Sequence, residues 1–174
     1  MKFEKISYEQ YKKDFKAYPE CVDGEASNIL LCGYDDIELP KRATKMSAGY
    51  DIYSPISHTL YPGHYVLIPT GIKFQCDDNK FLMAVPRSGQ GFKYGVMLAN
   101  TVGVIDADYY NNPKNEGHIW VKLVYPVSTL NTQPMQIKEG DAICQCIISS
   151  YYTVDDDNAD GDRVGGFGST GGTR

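Results

Sequence analysis

The chain has 174 residues, 42% of them hydrophobic, which is enough to bury one core and points to a single domain. Its 17 basic residues stand against 22 acidic ones, a net charge of -5 that argues against nucleic-acid binding through a basic surface and leaves room for a small anionic ligand. No run approaches the roughly 20 apolar residues of a membrane span, and five cysteines (Cys21, Cys32, Cys76, Cys144, Cys146) without framework spacing or an apolar leader fit a reducing, cytoplasmic setting with no membrane partner.

In chain order, Ser7-x-x-Gln10 is a capping-box pattern, and Tyr8, Tyr11, Phe15 and Tyr18 follow at spacings of three and four. That predicts a helix from about Tyr8 to Ala17, ended by Pro19, within an N-terminal extension over 1–36. From Ile29 onward, short apolar runs are cut by Gly, Pro, Asn and Asp, the pattern of a β barrel or sandwich. Tyr65 to Ile68, Gly71 to Gln75, Phe81 to Val85, Ile119 to Tyr125 and Ala142 to Ser149 are the clearest runs, so 37–152 reads as an all-β core. Pro62-Gly63 and Lys138 to Asp141 supply turns. After Tyr152 the chain turns polar, and 153–174 reads as an acidic linker leading to a flexible glycine-rich arm.

Several segments carry chemistry. Pro86-Arg87-Ser88-Gly89 closes an apolar run with a guanidinium fork, a hydroxyl and a pliant backbone, a set that suits phosphate oxygens. Val102 to Tyr110 sets Asp106 and Asp108 at the end of another run; in an extended hairpin the two carboxylates share a face and Tyr109 points away, unless a turn begins there. Asp106 is the residue type a general base requires. Cys144-x-Cys146 places both thiols on one strand face, as buried packing rather than a metal site. Asp156-x-Asn158-x-Asp160-Gly161 opens like a calcium loop, but its twelfth position is Phe167 where a glutamate is needed. His58, His64 and His118 lack metal-ligand spacing. Gly166-Phe167-Gly168-Ser169-Thr170-Gly171 matches G-x-G-x-x-G with only three residues after it, so it cannot be a dinucleotide turn that opens a helix. It reads as an arm whose N–H groups and hydroxyls suit an anion and whose ring suits a planar base.

Taken together, Ala48-Gly49-Tyr50-Asp51-Ile52, Pro86-Arg87-Ser88-Gly89, Asn100 to Tyr110, Gly140 to Gln145 and Gly165 to Gly171 resemble the five ordered motifs of the trimeric dUTP pyrophosphatase family, over about Ile37 to Gly171. The resemblance implies a distorted jelly-roll β-barrel, a homotrimer with active sites at subunit interfaces, and Mg2+-assisted hydrolysis of dUTP to dUMP and pyrophosphate. By the same resemblance Asp106 is the general base, Arg87, Ser88, Gly89 and Gln145 meet phosphate and order water, and Asp51 supports the metal through water. Asn100, Gly103, Val104 and Ile105 form the uracil pocket and Tyr109 packs against deoxyribose. Phe167, Gly168, Ser169 and Thr170 form the closing lid, and Arg163 contacts substrate. Departures from the family pattern are Ala142 in place of an arginine, Arg163 displaced by one position, an insert over Asn111 to Glu116 from which Lys114 could reach a neighbouring subunit, and the long lead-in. The helix and insert together suggest a regulatory protein partner. A deoxycytidine triphosphate deaminase of similar fold is the alternative, disfavoured by the Tyr109 hairpin and the Phe167 arm.

Overall fold

The computed structural model describes residues 1–16, 33–127, 132–161, 163 and 165; the expected lid residues Phe167, Gly168, Ser169 and Thr170, and Cys21 and Cys32, lie outside them. Twelve strands and two α-helices are described in this order: β1 (Lys2–Lys5), α1 (Tyr8–Lys16), β2 (Lys41–Arg42), β3 (Gly49–Tyr53), β4 (His58–Leu60), β5 (Tyr65–Pro69), β6 (Ile72–Gln75), β7 (Lys80–Val85), α2 (Ser88–Tyr94), β8 (Met97–Leu98), β9 (Gly103–Asp106), β10 (Trp120–Val124), β11 (Met135–Ile137) and β12 (Ala142–Ser150).

The strands form a distorted jelly roll. Its largest sheet runs β2-β3-β12-β7-β9, a second runs β5-β10-β8, and the pairs β1-β6 and β11-β4 complete the wrap. Alternation explains which residues meet inside: Val66 and Ile68, Leu82 and Ala84, and Val121 and Leu123 are buried at every second position of their strands. Cys144 and Cys146 are buried and free on one face of β12, as packing residues. Each buried Val, Leu or Ile among these residues contributes roughly 1.5–3 kcal/mol.

Three features depart from the sequence reading. The lead-in is part of the core: β1 pairs antiparallel with β6 from Lys2 opposite Gln75 to Lys5 opposite Ile72, and Ile6, Tyr11 and Phe15 join the main apolar cluster. Four residues with little alternation gave no strand signal. A second helix follows Arg87, an element that the sequence reading does not name; Gly95 N–H closes it on Gly91 O. The capping box is only half made, since Ser7 Oγ accepts from Gln10 N–H at 3.1 Å. The Ser7 N–H goes to Glu116 at 2.8 Å, while Gln10 binds Asp14 instead.

Candidate active site

β12 lies at the middle of the five-stranded sheet, and its register gathers three motif segments. Gln145 is opposite Asp51 on β3 and opposite Val85 on β7, and Arg87 follows Val85 by two positions. Arg87 Nε stands 3.4 Å from Asp51 Oδ1, a buried oxygen with no hydrogen-bond partner among the described residues. Arg87 and Gln90 both donate to the backbone O of Ala142, at 3.4 and 3.0 Å, at the position where family relatives were expected to carry an arginine. Gly49 is required here by close approach: a Cβ built on it would collide with the Gln145 side chain. Ser88 and Gly89 are exposed at the start of α2.

A second cluster surrounds β9. Asn100, Gly103, Val104, Ile105 and Tyr109 line a cavity of about 100 Å³ floored by Ala84 and Leu98. Trp120 also lines it. Sequence reasoning overlooked that residue, although it is the chain's single tryptophan, the one available signal. The strand ends at Asp106, and Ala107–Tyr109 turn into a 3-10 helix. Extended alternation therefore fails, and Asp106 and Asp108 are brought together by the turn. Arg163 clamps both, Nη2 to Asp106 Oδ2 at 2.6 Å and Nε to Asp108 Oδ1 at 2.8 Å, with its guanidinium 5.6 Å from the Tyr109 ring centre. Arg163, expected against substrate, thus engages the expected base itself. Tyr109 is 5% exposed and donates its phenol proton to His118 O at 2.9 Å; burial raises its pKa, against the bond from Asn115 and the charge of Arg163.

Asp106 stands apart from Gln145 and Arg87 within one chain, although the cavity reaches Ala84, next to Val85. On β7, Val85 faces Gln145 whereas Phe81 faces Asp106, a separation of about 13 Å at roughly 3.3 Å per residue. Each cluster holds half of the expected constellation, phosphate-type donors in one and the base with an apolar, Asn-bearing pocket in the other.

The insert forms a compact turn. Asn112 is buried and donates to Tyr109 O at 2.9 Å, Asn115 donates to Tyr109 Oη at 2.9 Å, and Lys114 N–H bonds Asn112 at 3.1 Å. Among the described residues no three His, Cys, Asp or Glu side chains are grouped as a metal cage, and no helix is long and apolar enough to cross a membrane. Mg2+ prefers oxygen donors, keeps several waters and needs one or two carboxylates beside substrate phosphates, a demand that the Asp51 oxygen without a hydrogen bond, 3.4 Å from Arg87, fits.

A jelly roll that carries phosphate-type donors and a carboxylate pair suits a hydrolase of anionic substrates, and the comparisons specify the class. The dUTPase family model matches residues 35–171. The deoxyuridine 5'-triphosphate nucleotidohydrolase of Lactococcus lactis subsp. lactis is 40% identical over 137 residues, covering 78% of this chain and 89% of that protein. That of Chromobacterium violaceum is 38% identical over 141 residues, covering 76% and 87%. The crystal structure of dUTPase from Streptococcus mutans superposes with a TM-score of 0.61 at 34% identity, covering 74% of this chain and 98% of that one. A phage phi11 dUTPase, 20% identical with a TM-score of 0.59, shares the fold. The chain belongs to the dUTPase family, and it is a dUTP diphosphatase.

Proposed function

We propose that the chain hydrolyses dUTP to dUMP and pyrophosphate by attack of an Asp106-activated water on the α-phosphorus, at sites each shared between protomers of a homotrimer. The observation that carries this reading is the separation of Asp106 from Gln145 and Arg87 along β7. Within one chain Asp106 is too far from Arg87 and Gln145 for all three to act on one phosphorus, yet a neighbour can present its Asp106 half to this chain's Arg87 half.

In this scheme water loses a proton to Asp106 as its oxygen bonds phosphorus. The bond from the α-phosphorus to the bridging oxygen breaks, and its electron pair leaves with pyrophosphate. Arg87, Ser88 and the Gly89 backbone meet charge on the phosphoryl oxygens, and Gln145, held against Gly49, orders the water. Mg2+, when bound, would neutralise triphosphate charge, with Asp51 supporting its water shell. Asn100 and the 103–105 backbone read uracil; Tyr109 packs against deoxyribose and leaves no space for a 2'-hydroxyl. Arg163 engages only Oδ2 of Asp106, so Oδ1 stays open to the water, and release of Arg163 would free it to meet phosphate. The arm from Gly165, with Phe167, Gly168, Ser169 and Thr170, closes the site. Removing dUTP in the cytosol would limit uracil in DNA and supply dUMP for thymidylate synthesis.

Pyrophosphate release from dUTP with Mg2+ tests the assignment. Asp106→Asn should lower kcat by about 10²-fold or more with the trimer intact; turnover at the wild-type rate would contradict the assigned base.

A further inference from the structure

The family model begins at residue 35, so strand β1 and helix α1 carry no role that it supplies. Helix α1 nevertheless connects to Tyr109 through His118. Asp14 Oδ2 on α1 lies 2.6 Å from His118 Nδ1. His118 Nε2 accepts the Gly71 N–H at 2.8 Å, which fixes the neutral tautomer with its proton on Nδ1, donated to Asp14. The His118 side chain is wholly buried, and its own carbonyl is the acceptor for the Tyr109 phenol.

A second line runs through the insert. Glu116 receives both the Ser7 N–H and the Ser7 hydroxyl, at 2.8 and 2.5 Å, which ties the start of α1 to the turn. That turn in turn holds Tyr109 at both ends, through Asn115 on the phenol and Asn112 on the carbonyl. Gly117, at φ +79°, lets the turn close; a Cβ there would meet Tyr109 O at 2.5 Å. The lead-in and the insert, the two additions to the family pattern, are therefore built against each other, with the Tyr109 ring as their common load.

We propose that Asp14 and Glu116 are positioning residues for the dUTP reaction: through His118 and the 111–117 turn they fix the plane of the Tyr109 ring and thereby set discrimination between deoxyribose and ribose. This rests on the reading that Tyr109 packs against the sugar. Sugar selection by a ring wall depends on where that wall stands, and a displacement well below the length of a C–O bond admits or excludes a hydroxyl. Neither residue touches substrate.

The experiment compares kcat/KM for dUTP and for UTP in full-length variants, with melting temperature recorded alongside. Asp14→Ala and Glu116→Ala should each reduce the dUTP:UTP preference by at least about fivefold, the scale expected when positioning is lost. Asp14→Asn, which keeps an oxygen acceptor for His118, should restore most of it. Phe15→Leu weakens the packing of α1 without touching either line and should lower the melting temperature with the preference unchanged. Glu116 is partly exposed, so its variant keeps the test available if Asp14→Ala does not fold. An unchanged preference in the Ala variants, or an equal fall in Phe15→Leu, overturns the brace. Tyr109→Ala separates the two levels: a preserved preference there removes the sugar role itself, whereas a lost preference there with none lost in Asp14→Ala and Glu116→Ala rejects the brace alone.

Discussion

Arg163 holds Asp106 and Asp108 together, its two guanidinium nitrogens 2.6 and 2.8 Å from their carboxylates and its side chain only 13% exposed. The clamp ties the chain beyond the acidic linker back to the turn after β9. Loss of one carboxylate should loosen it. Asp108→Asn is therefore expected to speed trypsin cleavage after Arg163 several-fold, read as the rate of fragment appearance, while the melting temperature stays close to wild type because partly exposed ion pairs contribute about 1 kcal/mol or less. Equal cleavage rates would mean that the Asp108 arm of the clamp does not hold Arg163 in solution.

Gln145 lies against Gly49 with no space for a methyl group between them. Gly49→Ala should push the amide away from its place opposite Asp51 without opening the core. The expected result is a fall in kcat of roughly 10–100-fold, the scale of a misplaced positioning group, with a small change in KM and in melting temperature. If kcat holds, Gln145 does not order the water.

His118 makes stability depend on pH. Burial holds its imidazole below the usual range, against the pull of Asp14 and Glu116, so the folded state favours the neutral ring. Asp14 is itself lowered: burial pushes it up, but its bonds from His118 and Gln10 prevail. A depressed histidine contributes stability that is intact above its unfolded value of about 6.5 and lost as pH falls below it, by up to about 1.4 kcal/mol per pH unit. Chemical denaturation from about pH 8 to about pH 5 should show this decline, and His118→Gln should show a shallower one. An identical slope in the variant would place the dependence on other groups.

The runs read from the sequence at 65–68, 71–75, 81–85, 119–125 and 142–149 each correspond to a strand, because a short apolar run bounded by turn residues marks a strand of a buried sheet. The helix over Tyr8–Lys16 was legible for the same reason at helical spacing. Strand β1 was not, since its signal is the pairing with β6, a partner about 70 residues away, rather than anything local. The α2 helix was hidden by its own glycines, which argue for a loop until Gln90 finds Ala142 O. Within the site, residue types and order were legible as motifs. The grouping of Asp51, Arg87 and Gln145 apart from Asp106 was not, because it follows from strand register.

The shared site is tested most directly by mixing two inactive variants. Asp106→Asn spoils one half and Arg87→Ala the other, so trimers assembled from an equal mixture should regain about one quarter of wild-type activity, the share of interfaces at which an intact Asp106 half meets an intact Arg87 half. Activity that stays at the level of the separate variants after verified subunit exchange would contradict a site divided between protomers.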